Sequence, residues 1–205
     1  ANDCLLAGVE SLDSHFKAAR IKSPSELKNG GEFFDEVMKR LYPDEDADRG
    51  MALPWQQCDD LRFRKSETTV WAGASGHGKS QILSHVTIDG IKQGYKFCIA
   101  SMEMPPPRLL ERKFKQAGGM GLPSRKFAEV INDFITEGVW LFSITGTAKV
   151  DKIFESFEFA RRVYGVDHFI IDSMAKCGIA EDDYVGQKAL VERLVDFANQ
   201  HNVHC

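Results

Sequence analysis

The sequence predicts an α/β domain with a mainly parallel sheet, preceded by a helical region, and three observations carry that prediction. Residues 73–80 read Gly-Ala-Ser-Gly-His-Gly-Lys-Ser, which satisfies the pattern G-x-x-x-x-G-K-[ST] at every fixed position. From residue 68 onward, short apolar runs alternate with amphipathic stretches, as they do when crossover helices join parallel strands. Finally, His168-Phe169-Ile170-Ile171-Asp172-Ser173 is an apolar run that ends in a carboxylate.

The elements follow in order. Val9, Leu12, Phe16 and Ala19 recur at helical spacing with Ser11, Asp13, Lys17 and Arg20 opposite them, which gives a short amphipathic helix in a linker region over residues 1–30. A second helix over 32–41 carries Phe33, Phe34, Val37, Met38 and Leu41. The acidic run Pro43-Asp44-Glu45-Asp46-Ala47-Asp48 follows it as a linker or flap, so residues 31–66 form a helical and acidic connecting segment. The core spans 67–205, with strands at 68–73, 95–101, 140–144 and 168–172. Its helices are expected at 80–93, 108–116, 124–138, 150–164 and 184–200. The last of these turns Ala189, Leu190, Leu194, Val195, Phe197 and Ala198 to one side. Asn202-Val203-His204-Cys205 then begins a further strand, so the core is expected to be C-terminally incomplete.

Composition sets the outer limits. With 205 residues and 43% hydrophobic content, the chain suits one globular domain plus an appendage, and no apolar run approaches the ~20 residues of a membrane span. Neither a membrane partner nor a signal peptide is expected, which points to a cytoplasmic setting. The five cysteines form no C-x-x-C pair, and Cys98 lies in an apolar run where a reduced thiol behaves as a small hydrophobe. None of the six histidines has metal-ligand spacing, even with His201 and His204 three apart, so zinc is not expected. A net charge of −4 argues against a broadly basic nucleic-acid-coating surface and leaves only a local channel for such a partner.

The glycine-rich loop carries the chemistry. Polyphosphate needs several backbone N–H donors converging on one point, which a glycine-permissive loop ending at a helix N-terminus supplies. Gly73, Gly76 and Gly78 provide that freedom, and Ala74, Ser75, His77 and Gln81 complete the cradle, with His77 read as simply exposed. Lys79 is placed to meet the β- and γ-phosphates, and the Ser80 hydroxyl to ligate Mg²⁺. The expected ligand is therefore ATP or another nucleoside triphosphate with Mg²⁺.

Two acids complete the set. Asp172 closes a strand downstream of the loop and has the form of a Walker B acid, holding Mg²⁺ through a water beside Ser80; the plainer reading is a turn aspartate. Glu103 lies at the carboxyl end of the strand after the loop helix, where ligands of open α/β sheets sit, and is placed to orient or deprotonate an attacking water. Glu103 also has a reading as a cap for the helix after Pro105-Pro106-Pro107. Arg108, Arg112, Lys113 and Lys115 form a basic patch of mixed helical phase, the mark of a solvated face.

With those residues in view the chain resembles the RecA-like ring helicases, a family that includes bacterial DnaB, mitochondrial Twinkle and phage primase-helicases. The resemblance extends over nearly the whole chain. It rests on the loop at 73–80, on Ser101-Met102-Glu103-Met104 with Leu109, Leu110 and Arg112 following, and on Ile170-Ile171-Asp172-Ser173. Ala1-Asn2-Asp3-Cys4-Leu5-Leu6 looks like the tail of a phage-type primase domain. The resemblance implies that Lys79 binds phosphate, Ser80 binds Mg²⁺, Glu103 is the catalytic carboxylate and Asp172 the Walker B acid. It further implies a ring, expected to be a hexamer with the linker helix docked on the neighbouring subunit, moving 5′ to 3′ along single-stranded DNA. Primase or other replisome proteins would be its partners, in a bacterial or phage-infected cytoplasm rather than a mitochondrial matrix. Residues 176–187 would then lie near a central DNA channel, although Ala180-Glu181-Asp182-Asp183 is acidic and only Lys176 and Lys188 are cationic nearby. The γ-phosphate sensor, the arginine finger and a later DNA-binding loop would fall beyond Cys205. Three other readings share the same loop: a RecA-like switch or strand-exchange protein, a small-molecule kinase, and a catalytically silent assembly module.

Overall fold

The computed structural model describes residues 27–44, 48–74, 76–144, 150–180 and 182–205. They fall into two compact units, one within Ala1–Asp48 and the other Arg49–Cys205. The helix expected over 9–19 lies outside the described residues, as does the acidic stretch 45–47.

In the first unit a 3₁₀ turn, Gly30–Phe33, runs straight into helix α1, Phe34–Leu41. Asn29 starts it with a capping box: its side chain accepts from the Gly31 amide at 2.9 Å, and Glu32 accepts from the Asn29 amide at 3.0 Å. Asp35 and Glu36 in the first turn and Lys39 and Arg40 in the last complement the helix dipole. Phe33, Phe34, Val37 and Leu41 are exposed.

The second unit opens with a small antiparallel pair, β1 (Met51–Ala52) and β2 (Arg62–Phe63). It continues through α2 (Lys79–Lys92), β3 (Phe97–Ser101), α3 (Pro106–Gly118), α4 (Arg125–Gly138), β4 (Val139–Leu141), α5 (Val150–Tyr164), β5 (His168–Asp172) and α6 (Tyr184–His201). The sheet has the order β4-β3-β5, all parallel, with Phe97 opposite both Val139 and His168 and Ser101 opposite Asp172. Every residue of β3 is buried, which is why Phe97-Cys98-Ile99-Ala100-Ser101 shows no polar alternation.

The sheet widens beyond β5. His204 bridges His168 on one side and Glu67 on the other, both in parallel sense. Phe169 N–H donates to the His204 carbonyl at 2.8 Å, and Thr69 N–H to the Cys205 carbonyl at 2.8 Å. Residues 202–205 therefore do begin a strand-like segment. The strand expected over 68–73 is not a regular one: its backbone bonds to this segment run only from Ser66 to Thr69, because the partner segment reaches Cys205 there. Strand β4 likewise stops at Leu141 rather than 144, one residue before Phe142 N–H makes the last bond to Ile99.

Helix boundaries follow local chemistry. α3 begins two residues earlier than the apolar pattern suggests, since Pro106 at its first turn lacks only an N–H that would have no partner there. It ends at Gly119 in the left-handed conformation, φ 63°. Ser124 caps α4 by accepting from Phe127 N–H at 3.3 Å.

The two faces of β3 organise two cores. Cys98, Ala100 and Met102 face Phe154 and Phe157 of α5 and Leu190, Leu194 and Phe197 of α6. Phe97 and Ile99 face Val86 and Ile91 of α2, Leu109 of α3, and Met51 and Phe63 of the small hairpin. α6 buries a narrower stripe than its pattern implies, since Ala189 and Val195 are exposed.

α2 is pressed against this second core at Gly90, where an added Cβ would fall on the Phe97 ring and the Met51 sulfur. Replacing a mid-helix glycine by alanine ordinarily stabilises by up to about 1 kcal/mol. Gly90→Ala is expected instead to destabilise by about 1–3 kcal/mol through overpacking, as read from urea unfolding.

Candidate functional site

Two glycines of the loop are conformationally required. Gly76 (φ 80°) and Gly78 (φ 85°) both adopt the left-handed region, and Gly78 is the residue from which α2 springs. Gly73 differs from the expectation: it does not share that conformation, and a Cβ there would make only ordinary contact with the Lys79 stem at 3.7 Å. The carbonyl of Gly78 accepts from both Gln81 and Ile82 N–H at 2.9 Å, which starts the helix. The Lys79 ammonium donates to the carbonyls of Gly73 (2.6 Å) and Ala74 (3.0 Å), so the loop itself holds the cation at its mouth. His77 is exposed.

The loop opens into a cleft of about 680 Å³ at the carboxyl end of the sheet. Gly76, Gly78, Lys79, Ser80, Glu103 and Asp172 all line it. The register of β3 on β5 brings the two acids together, since Ser101 lies opposite Asp172 and Met102 N–H donates to the Asp172 carbonyl at 3.0 Å. Glu103 follows one residue later and accepts from the Ser173 hydroxyl at 2.6 Å. Glu103 does not cap α3, whose N-cap is Pro105 and whose first turn contains no acid.

Asp172 accepts from the Ser80 hydroxyl. Burial, reinforced by the Glu103 charge, pushes its carboxyl above the usual carboxylate range, while the Ser80 bond and the cations Arg112 and Lys79 pull the other way. A hydroxyl and a carboxylate already in contact, with a second carboxylate beside them, are hard oxygen donors that suit Mg²⁺. The adjoining ammonium and the open left-handed glycines suit phosphate oxygens. The residues present therefore fit a Mg²⁺-bound nucleoside triphosphate.

The basic patch resolves into three different environments. Arg108 and Lys115 are exposed, Lys115 paired with Glu111, and Arg112 lines the cleft. Lys113, by contrast, is 0% exposed, with its ammonium 3.4 Å from the Ser84 hydroxyl of α2. A patch of mixed phase on a helix must turn one member inward, and Leu109 four residues before Lys113 marks the inward row. Burial, with Arg112 beside it, lowers the Lys113 ammonium to about 7 against the pull of Asp172. Sequence reasoning misses Ser173, the partner of Glu103; its position one residue after Asp172 is the available signal. Residues 176–187 follow β5 from a 3₁₀ turn, Met174–Lys176, into α6, whose first residues Tyr184 and Val185 are exposed.

No protein-family model matches the chain. Its fold is the RecA-like fold of replicative-helicase ATPase domains. The chain is similar to a solved helicase ATPase domain, with 13% identity and a TM-score of 0.70 over 86% of this chain and 70% of that one. It is also similar to a DnaB-like replicative helicase whose interactions with primase were described, with 10% identity and a TM-score of 0.60. That match covers 99% of this chain and 52% of the other, so the chain spans about half of that helicase's length.

Lys113 gives a test of the electrostatics. An unfolded lysine keeps its proton to about 10.5, whereas the folded chain releases it near 7, so the folded state binds fewer protons between those values. The penalty of burying the charge is then full below about pH 7 and fades as pH rises toward 10.5. Lys113→Met is expected to melt several degrees above the wild type at about pH 6.5, with the gap narrowing by about pH 9. Thermal melts of both proteins across that range check it; a gap independent of pH would contradict the assignment.

Proposed function

We propose that this chain is the ATP-dependent motor domain of a DnaB-like replicative DNA helicase. The observation that carries the reading is the convergence of Lys79, Ser80, Glu103 and Asp172 on one cleft at the carboxyl edge of a parallel sheet of helicase-ATPase fold. The bound Mg²⁺ would supply charge neutralisation on the triphosphate. Lys79 binds the β- and γ-phosphates, Ser80 serves as a direct metal ligand, and Asp172 serves through water. Glu103, exposed and oriented by the Ser173 hydroxyl, accepts a proton from the attacking water or orients it. The 2.6 Å bond to Ser173 fixes the carboxylate's direction while leaving its second oxygen for that water.

In the proposed cycle the energy of hydrolysis moves the protein 5′ to 3′ along single-stranded DNA and excludes the other strand. The working form is a ring, a hexamer in our reading, with residues 1–30 joining neighbouring subunits. Residues 176–187, directly after the Asp172 strand, face the DNA, so nucleotide state and DNA grip change together. A primase is the proposed replication partner, in keeping with the description of the DnaB-like neighbour, and the cytoplasm of a bacterium or phage-infected cell is the proposed location. No helix among the described residues is long and apolar enough to cross a membrane.

Lys79→Ala is expected to abolish nucleotide binding, whereas Glu103→Gln should bind nucleotide normally and lose about 10²–10⁴ in kcat, the range for a general base. Fluorescent-nucleotide titration and phosphate release read the two effects, and equal loss of binding in both variants would remove Glu103 from the chemistry. In the full-length protein, single-stranded DNA should stimulate hydrolysis in a manner the Glu103→Gln variant lacks. Hydrolysis indifferent to DNA, or stimulated by a small-molecule acceptor, would transfer the assignment to a switch or a kinase.

A further inference from the structure

Lys113 is an expensive residue for its position. Its side chain is fully buried, and so is the Ser84 side chain that it reaches, at 2% exposure. The single hydrogen bond between them is long, 3.4 Å, and neutral on the Ser84 side. Among the described residues no carboxylate lies within ion-pair distance of Lys113. A buried cation so poorly paired destabilises a fold, and an apolar side chain of like volume is generally neutral or stabilising in its place. Packing does not call for the charge either, since Leu109 already occupies the same inward row of α3.

The location indicates a use for the charge. Ser84 stands one helical turn after Ser80 on α2, so the two hydroxyls share a face of that helix. Ser101 of β3 falls in the same alternation as Phe97 and Ile99, toward α2 and α3; its hydroxyl is buried and has no hydrogen-bond partner. Asp172, opposite Ser101, interacts electrostatically with Lys113. A polar interior thus lies directly beneath the Ser80–Asp172 pair, within a face that is otherwise apolar. Asp172 needs such support, because burial and the Glu103 charge both work against its ionised form.

We propose that Lys113 is a positioning residue of the nucleotide site: its ammonium, anchored at Ser84, is the interior countercharge that holds the Asp172 carboxylate on the Ser80 hydroxyl, ready for the nucleotide's Mg²⁺. The inference rests on the reading of Ser80 and Asp172 as the Mg²⁺ pair. It explains why α3 carries a lysine where stability favours methionine or leucine, a local violation of the kind that functional sites show.

The test measures the affinity of a fluorescent ADP analogue with Mg²⁺ and with EDTA, at about pH 6.5 where Lys113 is protonated, in wild type, Lys113→Met, Asp172→Asn and the double variant. Expected for Lys113→Met is an unchanged affinity in EDTA, an about tenfold smaller tightening by Mg²⁺, and a raised Tm of the nucleotide-free protein. The double variant should lose no more than Asp172→Asn alone, since both changes act through one carboxylate. Tightening by Mg²⁺ equal to wild type in a more stable Lys113→Met protein would overturn the proposal, as would additive losses in the double variant. Lys113→Gln serves as a second variant; failure of both to fold would make Lys113 a structural strut and likewise overturn the role. A wild type in which Mg²⁺ does not tighten nucleotide binding at all would instead remove the metal-site reading from which the inference starts.

Discussion

The register of β3 against β5 is the constraint on which the site depends. Five consecutive pairs, Phe97 to Ser101 opposite His168 to Asp172, lock the two strands so that their carboxyl ends finish level. Glu103 and Asp172 come from chain positions far apart, and neither helps to place the other. They meet because both strands are anchored upstream by apolar packing on two faces: Phe157 and Phe197 on one, Val86 and Leu109 on the other. A one-residue slip would turn each strand's core side chains to the opposite face, so the hydrophobic cores hold the register and the register holds the acids.

On that frame the site is a balance of charge. Two carboxylates, one half-buried, confront three cations that differ in setting: Lys79 held by the loop carbonyls, Arg112 at the cleft wall, and Lys113 in the interior. The arrangement sets the acids close together without giving either a direct ion pair among the described residues. Charge is thereby left for a cationic ligand to neutralise, while the loop amides and Lys79 await an anionic one. A Mg²⁺-bound triphosphate carries both, which is why one ligand class satisfies the whole cleft.

Much of this is legible in the chain itself, for reasons that particular residues show. The helix from Lys79 is readable because Gly78 and the apolar row of α2 are local signals; so is β5, whose run of His168-Phe169-Ile170-Ile171-Asp172 has no competing period. The segment before the loop is paired over less of its length than its residues imply, since a run such as Thr68 to Gly73 has strand propensity but pairs only where a partner lies beside it. β4 falls short of its apolar run for the same reason. Propensity is a property of the residues, whereas a ladder is a property of two segments.

The sequence by itself determined the phosphate loop, the order of strands and helices, and the identity of the acids, because each of those rests on spacing within a short window. Only the tertiary structure decided that Lys113 is interior while Arg108 and Lys115 are not, that Ser173 supports Glu103, and that His204 links the Glu67 and His168 segments. Each of these depends on which face of one element meets another across dozens of residues, through packing that no local pattern encodes. Helical phase puts a lysine on a face, but the element packed against that face determines whether its charge is solvated or buried.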